Sequence, residues 1–407
     1  MTRTVEQVLG KRAIAAVRRP IEKAGGLPGT AYTGQEFFEL EQTKLFPRTW
    51  MGVGFASDIP KPGDAIPVMV GKLPIILVRN KKGEIKAFHN VCRHRASLVL
   101  MEPQKGLSNL TCPYHAWAWD LDGDLKAIPY YDGTKNSRNT NFDRCKLGLV
   151  PVRCAVWHHW IFVNLDGKAP PIEKHVKPFQ ELINGADIGA TSMSDRLDWD
   201  FDANWKFQND NWEVYHHFWV HGGIFRKMSE DLNMKTGEPW TEALQEEDGF
   251  VTLKARKGRP RRRHTGGKGD VKNPLPPIPL PRGNERTLST SILFPNVTIT
   301  MMDNYIASVI ADPIAPDRTV TKLGFFFADP AAKGRKYAPA RKQVLDRWLG
   351  KSRSSTGRDG IRSQDFEIWE AQQIARQSPV ADEVVFSPVW EGNVHHFQKH
   401  VLDTMQD

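Results

Sequence analysis

Cys92-Arg93-His94, then 17 residues, then Cys112-Pro113-Tyr114-His115 is the densest concentration of chemistry in the chain. It sets two thiols and two imidazoles in two close pairs. Each pair can sit at the tip of a β-hairpin: Ile75 to Asn80 and Ile85 to Val91 flank the turn-prone Lys81-Lys82-Gly83-Glu84, and Trp117 to Leu121 precedes Asp122-Gly123-Asp124. Thiolate and imidazole donors so spaced are metal ligands by type.

Two cysteines on one iron and two histidines on the other make the ligand set of a Rieske [2Fe–2S] cluster. Neutral imidazoles in place of two thiolates remove negative charge and lift the potential to about −150 to +300 mV. Such a centre accepts and passes single electrons. A structural zinc ion also takes two sulfurs and two nitrogens, but zinc fingers run Cys-x2–4-Cys and then His-x3–5-His. Here the order is Cys-His-Cys-His with one residue inside the first pair. Asn90-Val91-Cys92-Arg93-His94-Arg95 and Cys112-Pro113-Tyr114-His115-Ala116-Trp117 resemble the Rieske non-haem iron oxygenases. The family usually has glycine where this chain has Ala96 and Ala116, which implies a small difference in loop packing. The four ligands the resemblance implies, Cys92, His94, Cys112 and His115, are all present.

A chain of 407 residues holds two or three domains with substantial cores, and 40% hydrophobic with 25% charged residues is ordinary for a soluble globular protein. No run of about 18 apolar residues occurs and no apolar leader is visible, so a cytoplasmic protein is expected. Four cysteines do not make a disulfide framework; Cys145 and Cys154 are expected as reduced, partly buried thiols. The net charge of +9 fits nucleic acid, an anionic substrate or an acidic redox partner. Much of it is local, in Lys254 to Arg263, which with the Gly/Pro-rich sequence to Arg282 reads as a solvated, mobile loop.

Three segments are expected. Residues 1–45 read as an N-terminal helical segment packing on the catalytic domain, with a helix over Gly34 to Leu45. Residues 46–166 alternate short apolar strands with turns, closing with Val150 to Val163, and form an all-β Rieske domain. Residues 167–407 form the catalytic domain, with strands at Leu197 to Phe201, Leu288 to Phe294, Val297 to Met302, Ile306 to Ile310 and Thr321 to Phe327. Helices are expected at Lys336 to Leu349 and Arg358 to Gln377. Strands bracketing helices give an α+β fold. The resemblance makes that domain a helix-grip (START-like) antiparallel sheet.

Glu213-Val214-Tyr215-His216-His217-Phe218-Trp219-Val220-His221 is the second concentration of donors. His216 and His221 are splayed by about 140° on a continuous helix, so both face one metal only if the helix ends between them, and Gly222-Gly223 favours a break. Two imidazoles, one carboxylate and open positions make the facial triad of a non-haem Fe(II) oxygenase. His217 competes with His216; the resemblance, through its His-x4-His spacing, favours His216 with His221. On the last of these helices Asp365 shares a stripe with Ile361, Ile368, Gln372 and Ala375, where a charge needs a partner. Gln364-Asp365 resembles the family's acidic ligand segment, with Glu367 and Glu370 as alternatives. Glu213 lies one helical turn before His216. The resemblance makes it the carboxylate that bridges a histidine of the mononuclear iron to a Rieske histidine of a neighbouring subunit. Most members have Asp there, and Glu is nearer the members acting on quaternary amines. One residue fewer than usual separates Asn204-Trp205-Lys206 from this carboxylate, which leaves the roles of Asn209, Asp210 and Asn211 open.

The resemblance implies an oxygenase component: an NAD(P)H-linked reductase, directly or through a ferredoxin, feeds the cluster, and dioxygen is activated at mononuclear Fe(II). It also implies a homotrimer, head to tail, that shortens the electron path between subunits. Two other classes compete. A Rieske electron carrier leaves some 240 residues and the second donor set unexplained. A zinc-containing basic nucleic-acid-binding protein lacks any groove-reading motif. Trp212, Tyr215, Phe218 and Trp219 suit an aromatic ring or a quaternary ammonium as substrate, and suit a core equally.

Overall fold

The computed structural model describes residues 3–137, 140–211, 219–221, 273–284, 289–351 and 359–406, with the backbone of 241–245 and 251–255. The chain divides into two compact units: Phe46–Ile172, and Met1–Leu45 together with Glu173–Asp407.

The first unit is all-β. Strands β1 (Met51–Phe55), β2 (Ala65–Val70), β3 (Leu73–Arg79), β4 (Ile85–His89), β8 (Pro151–Trp157) and β9 (Trp160–Asn164) pair antiparallel in the order β1-β9-β8-β4-β3-β2. β5 (Leu110–Thr111), β6 (Ala118–Trp119) and β7 (Leu125–Ala127) form a small second sheet. The expected turn joins β3 to β4, with Gly83 at φ +84. Val150 to Val163, expected to close the module, is the β8–β9 hairpin, turned at His158. Every residue of β1 and β9 is buried, as the Gly, Val, Phe, Trp and Ile of these strands demand.

The second unit is built on one seven-stranded antiparallel sheet. In order it runs β10 (Thr191–Phe201), β16 (Arg318–Ala328), β15 (Ile306–Ala315), β14 (Val297–Met301), β13 (Ser289–Leu293), β12 (Val251–Ala255) and β11 (Thr241–Gln245). β10, β15 and β16 run longer than the sequence pattern suggests, because polar Asp, Arg and Lys alternate into their half-buried ends. β11 and β12 were not expected, and Lys254 lies in β12 rather than in a loop. The Gly/Pro-rich segment is not wholly solvated either: Leu275 and Ile278 are buried, and Ile278 N donates to Asp303 O at 2.9 Å. Residues 256–272 lie outside the described residues.

Helices Ala338–Leu349 and Ile361–Ala375 sit where expected, a few residues shorter. The N-terminal helix covers Gln35–Leu40 and opens into a wider turn at Glu41–Leu45. Glu41 is fully buried there against Lys206, with Trp205 Nε1 donating to Glu41 Oε2 at 3.2 Å. Tyr32, Leu27 and Phe37 are buried as well. Leu27 N donates to Gln398 Oε1 at 2.8 Å, on the C-terminal helix Gly392–Thr404. These contacts tie the N-terminal residues to the second unit.

Candidate metal centres

In the first unit two loops of the same design carry the four expected donors. Cys92 N donates to Ser97 O at 2.8 Å and Ala96 N to Cys92 O at 3.0 Å; Cys112 N donates to Trp117 O at 2.8 Å and Ala116 N to Cys112 O at 3.0 Å. Each loop therefore turns back on its own cysteine. The turn forces left-handed backbone at Ala96 (φ 55) and Ala116 (φ 57), the two positions where glycine was noted as usual. Their β-carbons cost roughly 1–2 kcal/mol each in that conformation. The second loop caps the β5–β6 hairpin as expected. The first does not lie between paired strands. It is closed by Asn90, whose Oδ1 accepts from Val99 N and Leu100 N, both at 2.9 Å, and whose Nδ2 donates to Leu100 O at 2.6 Å. That buried amide stands in for a strand partner, a role that only the folded loop reveals.

Cys92 and Cys112 are buried in an apolar cluster with Val99, Leu100, Trp117 and Trp119. Burial, reinforced by the adjacent Cys112, pushes the Cys92 thiol up, so metal binding there must release a proton. His94 and His115 meet edge to face with ring centroids 4.8 Å apart, and His94 stacks on Trp117 at 4.7 Å. Loss of water, with His115 and Arg95 nearby, holds His94 below the usual imidazole range and therefore neutral, the ligating form. Its enclosed Nδ1 meets no partner among the described residues. Among those residues no three His, Cys, Asp or Glu side chains converge on a single ion. Two buried thiols in one cluster and two adjoining imidazoles fit the donor set of a binuclear cluster.

In the second unit the helix Lys206–Asp210 ends at Asn211, and residues 219–221 are in a turn, so no continuous helix carries His221. His221 is fully buried, and its Nε2 stands 3.0 Å from Asp365 Oδ1. Two donors at right angles, each about 2.1 Å from a shared ion, are about 3.0 Å apart, so this spacing fits two adjacent ligands. Gln364 Oε1 lies 2.7 Å from His221 Nδ1, and Asn211 Nδ2 donates to Asp365 Oδ1 at 3.1 Å. Of the alternative acids, Glu367 is exposed and Glu370 accepts from Asp202 N at 3.1 Å; neither stands against His221.

Asp365 is buried, but on a different stripe from the one drawn above. The inner face comprises Arg362, Asp365, Phe366, Trp369 and Gln373, while Ile368, Gln372 and Ala375 face outward. The larger apolar area of Phe366 and Trp369, packed on Phe201, turns the helix. Trp219 is neither core nor enclosed: it is 70% exposed. Cys145 is exposed and not partly buried, whereas the Cys154 thiol is pushed up to about 12 by burial. Glu213, His216 and His217, with Trp212, Tyr215 and Phe218, lie outside the described residues. Asn211 and Gln364 are the polar partners sequence reasoning did not assign; their only signal was adjacency to the donor segments.

The Rieske [2Fe-2S] domain family matches residues 49–138, and the catalytic domain of the ring hydroxylating alpha subunit family matches residues 190–407. The glycine betaine monooxygenase oxygenase subunit of Pseudomonas aeruginosa is 28% identical over 54% of this chain and 50% of its own length. The carnitine monooxygenase oxygenase subunit of Acinetobacter pittii is 31% identical over 53% and 57%. The biphenyl dioxygenase alpha subunit of Paraburkholderia xenovorans is 29% identical over 49% and 46%. The chain thus spans about half the length of the curated relatives it matches. Among solved structures, a quaternary ammonium Rieske monooxygenase in its apo form superposes with a TM-score of 0.72 at 20% identity, covering 97% of this chain and 98% of the other. Naphthalene 1,2-dioxygenase from Rhodococcus gives 0.75 at 19% identity, covering 98% of both. Among the described residues no helix is long and apolar enough to cross a membrane. The α+β architecture, a Rieske [2Fe–2S] domain preceding an antiparallel-sheet domain of the kind that binds mononuclear iron, and these matches together show that the chain belongs to the ring-hydroxylating alpha subunit family of Rieske oxygenases.

Proposed function

We propose that this chain is the terminal oxygenase component of a multicomponent system working in the cytoplasm. It takes electrons from an NAD(P)H-linked reductase, directly or through a ferredoxin, and hydroxylates or oxidatively demethylates a small aromatic or quaternary-amine substrate. The observation that carries this reading is the buried His221–Asp365 pair at 3.0 Å, in the unit the ring-hydroxylating family matches. An electron carrier has no use for it. In monooxygenation one atom of O2 enters a substrate C–H bond as hydroxyl and the other leaves as water, with two electrons from NAD(P)H and two protons.

Cys92, His94, Cys112 and His115 would hold the cluster, and His216, His221 and Asp365 the mononuclear iron. When bound, these groups supply single electrons and a site for dioxygen activation. The protein's own part is positional. Trp117 fixes the plane of the His94 ring, and Asn211 fixes one carboxylate oxygen of Asp365. Gln364 accepts the Nδ1 proton of His221, which leaves the Nε2 lone pair for metal. Glu213 is proposed to join His216 to a Rieske histidine across the contact of a homotrimer, a heterologous contact that closes into a ring.

Coupled NADH and O2 consumption with product analysis, over aromatic and quaternary-amine substrates, tests the activity. Substrate-dependent product is expected; a reducible protein that yields none from any of them contradicts the proposal. Glu213→Gln tests the bridge: both metals and an oligomer of three chain masses are expected to persist while cluster reoxidation in a single turnover slows. Normal reoxidation, or an active monomer, would refute it.

A further inference from the structure

One tyrosine of the N-terminal segment touches both helices that meet at the Asn211–Asp365 contact. Tyr32 is fully enclosed. Its hydroxyl donates to Asp210 Oδ2, and Gln398 Nε2, on the C-terminal helix, donates to that hydroxyl and to Asp210 Oδ1, each at 3.1 Å. Its ring stacks on Phe207 with centroids 4.8 Å apart, and Phe207 O accepts from Asn211 N at 3.1 Å. Tyr32 therefore grips the short helix Lys206–Asp210 near its start and at its end. The next residue, Asn211, closes that helix and carries the amide that holds Asp365.

The backbone of the same tyrosine reaches the helix on which Asp365 stands. Tyr32 O accepts from Asn204 Nδ2 at 3.0 Å and from Gln373 Nε2 at 3.3 Å, and Gln373 Oε1 accepts from Asn204 N at 3.1 Å. Arg376, which caps that helix, lies with its guanidinium carbon 4.6 Å from the Tyr32 ring centroid. Ile361–Ala375 and Lys206–Asp210 are thus tied to each other through Tyr32 as well as through Asn211 and Asp365. Asn204, Gln373 and Gln398 are all buried, and a buried network whose donors and acceptors are matched holds one geometry.

A helix of five residues is too short to hold its own shape without tertiary support. At its first residue that support is Lys206 on Glu41, and at its last it is Tyr32 on Asp210. We propose that Tyr32 is a positioning residue for the mononuclear iron, acting through Asp210 and Asn211 on Asp365. The inference rests on the reading of His221 and Asp365 as iron ligands.

The test is anaerobic titration of Fe(II) against a chelator, in enzyme that keeps its cluster but has been stripped of mononuclear iron. Wild type, Tyr32→Phe, Asn211→Leu and the double variant are compared. Tyr32→Phe keeps the ring on Phe207 and removes only the hydroxyl. It should weaken iron binding about three- to tenfold, and Asn211→Leu should weaken it about 10–100-fold. The double variant should bind within about twofold of Asn211→Leu alone, because a path already cut cannot be cut again. The Rieske spectrum should stay unchanged throughout. Wild-type iron affinity in Tyr32→Phe, with only the denaturation midpoint lowered, would overturn the proposal by making the bond a purely structural one. Two effects that multiply in the double variant would overturn it as well, since Tyr32 would then act by another route. Asp210→Ala opens the same bond from its other end and takes the place of Tyr32→Phe in the cycle where that variant fails to fold by circular dichroism. Asp365→Ala separates the inference from its footing. Loss of the third iron there, beside wild-type affinity in Tyr32→Phe, removes the inference alone; retention of that iron removes the ligand reading and the inference with it.

Discussion

Ala96 and Ala116 hold left-handed backbone at the two cysteine loops, where a β-carbon is strained. Glycine relieves that strain and gives back part of the gain to the freer unfolded chain, so Ala96→Gly and Ala116→Gly should each stabilise the Rieske unit by roughly 0.5–1 kcal/mol. Thermal loss of the cluster's visible absorbance measures it; an unchanged or lower midpoint would show that the methyl groups contribute packing of equal size. The second prediction concerns Gln364, which meets Nδ1 of His221 at 2.7 Å. Gln364→Leu leaves that nitrogen without its acceptor and should weaken mononuclear iron binding about 10–100-fold. Iron retention against a chelator gives the affinity, and the Rieske spectrum should be unchanged.

At the scale of elements, the N-terminal segment is locked to the helix that leads to Asn211. Lys206 and Glu41 are both fully enclosed, and Tyr32 bonds Asp210 at the far end of the same short helix. Loss of water pushes Glu41 up and Lys206 down, while their contact opposes both shifts. Glu41→Leu strands a buried ammonium and should cost about 3–5 kcal/mol, whereas Glu41→Leu with Lys206→Met should recover most of it. Chemical denaturation of the two variants decides this; equal losses would mean the pair is not coupled. The sequence made part of this layer legible. The cysteine loops are local, so their spacing was enough to single out the two Cys/His pairs that the fold brings together, and period-two alternation located most strands. Asp365 stood out as a charge among apolar neighbours, but a helical wheel could not tell which flank the bulk of Phe366 and Trp369 would draw inward. β12 was missed although Val-Thr-Leu-Lys-Ala alternates apolar and polar residues, because the basic run that starts at Lys254 reads as a loop, and β11, Thr-Glu-Ala-Leu-Gln, offers only two apolar residues. Asn211 acts through Asp365, distant in sequence, which no local pattern exposes, and Asn90 through Val99 and Leu100 only once its loop has turned back.

For the whole molecule, the candidate ligands fall into two sets with no shared residue: Cys92, His94, Cys112 and His115 in Phe46–Ile172, His221 and Asp365 in the other unit. The central claim is that one chain carries both an electron-storing cluster and a separate iron at which dioxygen reacts. Iron and acid-labile sulfide counted on the purified wild type and on Asp365→Ala, with the visible spectrum of each, test it most directly. About three irons and about two sulfides per chain are expected in the wild type. Asp365→Ala should hold about two of each, with an intact Rieske spectrum. A variant that keeps its third iron, or one that loses the cluster along with it, would contradict the claim.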